Sequence, residues 1–189
     1  MEKRHRIFVA INLPADIKSQ LAKRESKWQD LPARWTQKDQ LHVTLEFLGY
    51  LNDIETAEVC KKVSEVAKNH GIFSLALNKI VYAPPKKIPP KMIWAVGEKS
   101  EELSALKNNL QKALLEAVRF KPEERDFSPH VTLSRINEWE FKNMDQEEIP
   151  EVDEIIDLSF TVESIEVMES ELKRGGPVYT VLESSNLGA

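Results

Sequence analysis

Two stretches of this chain carry the same four residues, His-Val-Thr-Leu, at 42–45 and 130–133, 88 residues apart in a chain of 189. Recurrence at nearly half the chain length points to two similar units. Side chains on an extended strand alternate faces with period two. Each copy therefore sets an imidazole beside a hydroxyl: His42 with Thr44, and His130 with Thr132. Strict alternation places Leu41, Val43, Leu45 and Phe47 on a core face, with His42, Thr44 and Glu46 opposite. In the second copy Val131 and Leu133 point inward, while His130, Thr132 and Ser134 point out together. Histidine is the side chain whose ordinary pKa lets it give or take a proton near neutrality. In-line attack on a phosphodiester needs a base on the water side of phosphorus and an acid on the leaving-oxygen side. Two imidazoles from opposed strands fill those positions. The threonine hydroxyls can donate to the non-bridging oxygens, where charge grows in the transition state. Such a set needs no metal, and it suits a small, strained substrate such as a cyclic phosphate.

A single His-x-Thr on a strand more often marks a half-buried surface strand; two identical copies carry the catalytic reading. The rival chemistries have less behind them. A two-histidine metal site lacks an HxH, an HExxH or an acidic triad to complete it. The chain has no GxSxG elbow and no phosphate-binding P-loop, and Gly175-Gly176 reads as a turn. The one cysteine, Cys60, excludes an internal disulfide framework, reads as a small buried hydrophobe within a helix, and fits a reducing cytoplasm. His70 reads as a helix-end residue on the last carbonyls, and His5 as an exposed residue near the N-terminus. A net charge of −5 and a pI near 5.5 argue against coating nucleic acid through many phosphates. Local recognition of one phosphate or one RNA end stays open. The clusters Lys3/Arg4/Arg6 and Lys86/Lys87/Lys91 read as solvated surface, with the second also a candidate lip over a cleft.

The elements that must hold the histidines alternate between strand and helix, which makes the class mixed α and β. Strands are expected over 6–12, 41–48, 73–82, 92–97, 130–135, 155–169 and 178–183, the last two joined by KRGGP as a hairpin. Helices are expected over 15–29, 54–69 and 101–118, the last with Leu103, Leu106, Leu110 and Leu114 at helical spacing. The proline-rich 84–91 reads as a stiff loop, and 138–154 as a short helix and loop. No linker separates independent parts, so residues 1–189 are expected to form a single α+β domain of two similar lobes. No apolar run reaches the roughly 20 residues that span a bilayer, and the N-terminal apolar stretch, broken by Asn12 and Pro14, reads as a strand rather than a secretory signal.

Beyond the motif, RIFVAINLP, RWTQKDQLHVTLEFLG, FSPHVTLSR and MESELKRGGPVYTVLESSNL occur in this order along nearly the whole chain. Together they resemble the two-histidine phosphoesterases, and within them the bacterial and archaeal RNA 2',3'-cyclic phosphodiesterases, also called 2'-5' RNA ligases (the LigT-like branch). The resemblance implies a bilobal α+β fold with a pseudo-twofold axis and a central cleft. It implies metal-independent hydrolysis of a 2',3'-cyclic phosphate RNA end to a 2'-phosphate, with a weaker, reversible 2'-5' joining of tRNA halves and no cofactor. By the same analogy His130 is the base that activates water, His42 the acid that protonates the departing 3'-oxygen, and Thr44 and Thr132 bind the phosphate. Arg135 matches an arginine that follows the second motif and would hold phosphate or RNA backbone, although strict alternation places it on the Val131/Leu133 face. Phe8, alternating with Arg6 and Ala10, would bring an aromatic ring to the cleft for a nucleobase, with core packing as the competing role. The expected partner is RNA with a cyclic phosphate terminus, without membrane or protein partners, and a monomer is the expected state. Two rival functions remain: a cyclic phosphodiesterase acting on a small nucleotide, and a non-catalytic protein that binds RNA ends.

Overall fold

The computed structural model describes residues 3–123, 126–174 and 176–188. Gly175, in the expected turn, lies outside the described residues. Among those described the strands are β1 (His5–Asn12), β2 (Ala33–Trp35), β3 (His42–Leu51), β4 (Phe73–Ala83), β5 (Met92–Gly97), β6 (His130–Ile136), β7 (Asp153–Val162), β8 (Ser164–Lys173) and β9 (Gly176–Asn186). The α-helices are α1 (Ala15–Ala22), α2 (Asp53–Ala67), α3 (Glu101–Ala117) and α4 (Glu138–Lys142). All the strands join one sheet in the order β7-β4-β5-β6-β3-β1-β8-β9, with β2 added beside β6. The midpoint of that order falls between β6 and β3, the two strands that carry His-Val-Thr-Leu, with four strands on either side. The two α+β lobes are thus halves of one antiparallel sheet.

The halves are not consecutive in the chain. After α2 the chain crosses to build β4 to β7 on one side, then returns with β8 and β9 to the side of β1 and β3. Only Glu163 separates β7 from β8, although these strands are far apart in the strand order. Consecutive Cα atoms are about 3.8 Å apart, so the sheet must curl until its two outer regions approach at that corner. A parallel bridge from Gly71 to Gly188 ties the same rim. The expected strand over 155–169 is therefore two strands belonging to opposite halves.

Helix ends follow their sequence signals. α2 opens on a capping box in which the Asn52 side chain accepts from the Glu55 backbone and Glu55 returns the bond. Ser100 caps α3 by accepting from Leu103 N–H, and Leu103, Leu106, Leu110 and Leu114 are all fully buried, as their spacing required. The helix expected over 15–29 is α-helical only to Ala22 and continues as a 3-10 turn over Lys23–Trp28. His5 is not the exposed residue that its position suggests. Its ring is clamped between Glu169 on β8 (Nδ1 to Oε1, 2.6 Å) and Asp53 on α2 (Nε2 to Oδ1, 2.9 Å). His70 lies just beyond the end of α2, where its backbone N–H donates to the Ala67 carbonyl at 3.1 Å, while its ring Nε2 meets Asn109 Nδ2 on α3 at 3.1 Å. Cys60 is half-buried and packs on the core.

Candidate active site

The register between the central strands builds the site. Val43 pairs with Val131, and both are buried. One step away in each direction, an antiparallel register sets His42 against Thr132 and Thr44 against His130. All four side chains stand on the face that the valines leave. The two imidazoles are then diagonal neighbours, for which roughly 7–8 Å between side-chain roots is usual. That gap admits one phosphorus centre with a ring on either side. The imidazoles come from adjacent strands of one concave face, and each threonine sits by both its own histidine and the opposite one.

Immediately after each motif, the alternation slips. On β3 the pairing with β1 runs Ala10 to Thr44 and then Val9 to Glu46, leaving Leu45 as an extra residue. On β6 the pairing with β5 runs Trp94 to Thr132 and then Ile93 to Ser134, leaving Leu133 extra. A bulge of one residue reverses the facing of everything beyond it. Glu46 therefore turns inward, 3% exposed, where it meets Lys107 of α3, while Phe47 turns out at 57% exposure. Ser134 likewise turns inward, fully buried and with no hydrogen-bond partner among the described residues, so it does not stand beside His130 and Thr132. Arg135 turns out onto the open face with His130 and Thr132. The conflict between alternation and an arginine in the cleft is removed by the Leu133 bulge.

Hydrogen bonds fix the imidazole tautomers. His42 Nδ1–H donates to the Gln40 carbonyl (2.7 Å), which leaves Nε2 of the neutral ring to accept from Thr44 Oγ1 at 3.1 Å. His130 repeats the first bond, Nδ1 to the Ser128 carbonyl at 2.8 Å. In each case the ring is held from a residue two positions earlier, and on His42 the Nε2 edge is turned to the threonine of its own strand. Burial pushes the His42 pKa down to about 4, against the Gln40 bond, with the charges of Lys18 and His130 adding to the depression.

The walls around the two histidines differ. Phe8 lies on the open face as its alternation required, yet it is only 1% exposed. Its ring is enclosed by His42 at 5.1 Å, Phe47 at 5.7 Å and Tyr179 of β9 at 5.2 Å. Phe8 is thus a wall behind His42 rather than an open surface for a base, and the exposed ring of this cluster is Phe47. Tyr179 meets His42 edge-on at 5.0 Å. Around His130, Trp94 of β5 stacks nearly parallel at 3.7 Å, and Arg135 lies farther along β6, beyond Thr132 and opposite Met92. Phe47, Trp94 and Tyr179 were missed in the sequence: the first needed the bulge, and the others reach the site only through strand pairing. Lys91, expected in a cationic lip, pairs with Glu138 at 3.4 Å, whereas Lys86 and Lys87 are exposed. Among the described residues no three His, Cys, Asp or Glu side chains are grouped to hold a metal ion. Nor is any helix among them long and apolar enough to cross a membrane.

Comparison with known proteins gives a consistent result. A family model described as the 2'-5' RNA ligase superfamily matches residues 11–174. A Thermus thermophilus protein named RNA 2',3'-cyclic phosphodiesterase is 29% identical over 193 aligned positions, covering 96% of this chain and 90% of its own. A solved Thermus thermophilus structure superposes with a TM-score of 0.82 at 29% identity, over 96% of this chain and 97% of that one. Escherichia coli LigT complexed with 3'-AMP superposes with a TM-score of 0.78 at 24% identity, over 99% and 100%, which shows the shared fold.

Proposed function

This chain belongs to the 2'-5' RNA ligase superfamily, and from that premise we propose that it hydrolyses 2',3'-cyclic phosphate ends of RNA to 2'-phosphates. The observation that carries this reading is the Val43–Val131 register, which sets His42 against Thr132 and Thr44 against His130 on one face. A cyclic phosphodiester seated there has an imidazole on either side of phosphorus and a hydroxyl beside each non-bridging oxygen. Four groups then meet the needs of an in-line displacement. His130 takes a proton from water as it attacks phosphorus, the bond to the 3'-oxygen breaks, and His42 protonates that oxygen as it leaves. With the 5'-hydroxyl of a second RNA in place of water, the same steps form the bond from that oxygen to phosphorus as the 3'-oxygen leaves, which is the 2'-5' joining reaction, and cleavage of the new linkage is its reverse. The role of His42 as acid demands that it gain a proton when the anion docks, because burial keeps the ring neutral otherwise. Phe47, exposed on the strand of His42 with its ring against Phe8, would carry the terminal base.

No step in this scheme is routed through a metal. The interleaving of the two halves supports one catalytic unit built from both, which we propose works as a monomer in the cytoplasm. The test is product analysis on short RNA with a 2',3'-cyclic terminus, before and after exhaustive chelation. A 2'-phosphate product at an undiminished rate is expected, and His42→Ala or His130→Ala should each lower turnover by about 10²–10⁴-fold. Tight binding without conversion would instead mark an end-binding protein, and reaction of mononucleotides alone would mark a small-molecule enzyme.

A further inference from the structure

The face that holds the histidines also bears an arrangement of charge that the sheet does not need. Arg34 of β2 and Arg135 of β6 stand opposite one another in antiparallel register. Such side chains start roughly 5 Å apart on one face, where like charges are unfavourable. Both are exposed, and neither enters an ion pair among the described residues. The side-chain contact of Arg135 is Nη1 on the uncharged Met92 Sδ, at 3.7 Å. The Arg34 guanidinium sits against Gly176 of β9, where φ is +113° and an added Cβ would run into it. The two arginines line a groove of about 430 Å³ with Asn137 and Glu140. The Glu140 carboxylate is occupied by the Asn137 side-chain amide. Arg135 follows Thr132 by three residues, roughly 10 Å along the strand.

We infer that Arg34, set by register beside the Arg135 that the family resemblance already implies for phosphate or RNA backbone, binds the internucleotide phosphate on the 5' side of the cyclic terminus and so makes an RNA end a better substrate than a free nucleoside cyclic phosphate. The inference rests on the hydrolase reading above. The terminal nucleotide continues into RNA only through its 5'-oxygen, so the next anion lies one nucleotide from the phosphorus that reacts. An anion between two guanidiniums replaces their repulsion with charge-assisted, forked hydrogen bonds. The site has this feature on one side alone: the position equivalent to Arg135 after the first motif is Phe47. The chain of an RNA substrate therefore leaves the site over β6 and β2.

The test compares adenosine 2',3'-cyclic phosphate with the same compound carrying a 5'-phosphate, and with a trinucleotide ending in the cyclic phosphate. In the wild-type protein the 5'-phosphate should raise kcat/KM about tenfold or more, chiefly through KM. Arg34→Gln should shrink that ratio to about twofold, and Arg34→Lys, which keeps the charge without the fork, should leave an intermediate ratio. Because the readout is a ratio within one preparation, partial loss of folded protein cancels. The log of kcat/KM for the trinucleotide should also fall less steeply with the log of salt concentration in Arg34→Gln, by a slope of about 0.7. Hydrolysis of all three substrates with no gain from the 5'-phosphate, or a gain that survives Arg34→Gln, overturns this subsite and leaves the hydrolase intact. Absence of product from every cyclic substrate overturns the hydrolase reading itself.

Discussion

Anion binding at this site should draw a proton onto His42. Burial holds its pKa at about 4, against 6.5 for an ordinary histidine. Charging the ring then costs about 3 kcal/mol more than in water, and on the order of one molecule in a thousand carries the proton at pH 7 without an anion. A general acid so poorly populated would slow catalysis, but a phosphodiester brings the negative charge that stabilises an imidazolium beside it. Sulfate is a suitable probe because its own charge is constant over the range. Histidine ring ¹H–¹⁵N spectra should show His42 titrating near pH 4 in sulfate-free buffer and two or more pH units higher at saturating sulfate. By linkage, each proton taken up makes sulfate affinity fall about tenfold per pH unit as pH rises between those two values. His42→Asn should remove one such proton, measured by calorimetry in buffers of differing ionisation enthalpy. The reasoning fails if His42 titrates above pH 6 in the absence of sulfate, or if proton uptake is the same in His42→Asn.

Three further outcomes test separate parts of the structure. Lys107→Met strands the buried Glu46 carboxylate and should cost about 3–5 kcal/mol in denaturant unfolding, while Glu46→Leu combined with it should recover most of the loss. His42 and His5 should shape stability against pH in opposite directions. The low folded pKa of His42 means the unfolded chain binds more protons between pH 6.5 and 4, so stability falls across that window as acid is added, and thermal melts of His42→Asn should lack that loss. The Glu169 and Asp53 bonds raise the pKa of His5, so its contribution is full below pH 6.5 and is lost as pH rises through the raised value. The melting difference between wild type and His5→Gln should shrink over that rise. Trp94→Leu removes the ring stacked on His130 and should lower kcat/KM about tenfold with an unchanged circular dichroism spectrum.

What could be read in advance was whatever depends on local spacing. His42, Thr44, His130 and Thr132 were legible because identity at 88 residues needs no fold to be noticed. The leucines of α3 were legible because helical periodicity is a local property. The positions that went astray lie directly after the motifs. Leu45 and Leu133 are ordinary core residues by type, so nothing in the sequence marks them as the extra residues of two bulges. Every assignment beyond them inverts in consequence: Glu46 and Ser134 inward, Phe47 and Arg135 outward. The break at Glu163 was hidden for a related reason. It carries no glycine or proline, since the chain changes halves there without a turn, at a corner where the curled sheet brings both halves together. β2 is three residues long, too short for any periodic pattern to emerge. Its importance comes from its neighbour, because it brings Arg34 opposite Arg135.

The duplicated bulge explains how a symmetric frame yields a site with direction. Both halves need the histidine and threonine on the open face, and both then turn one further residue outward at the third position after the threonine. Since the bulge is common to the two, that outward residue is free to differ, and it does: an aromatic ring on the strand of His42 and a guanidinium on the strand of His130. The strands beside them diverge to match, with Phe8 opposite Phe47 on β1 and Met92 opposite Arg135 on β5. The paired His-x-Thr motifs alone would give a cyclic phosphate no reason to expose one ribose oxygen rather than the other. On the proposed reading, a base held over Phe47 and a backbone drawn toward Arg135 would give it one. Exchanging these two outward residues, Phe47→Arg with Arg135→Phe, should therefore degrade the choice between 2'- and 3'-phosphate products more than it degrades binding of sulfate. A product ratio that stays wholly 2' in the exchanged protein, with turnover retained, would show that the direction is set elsewhere.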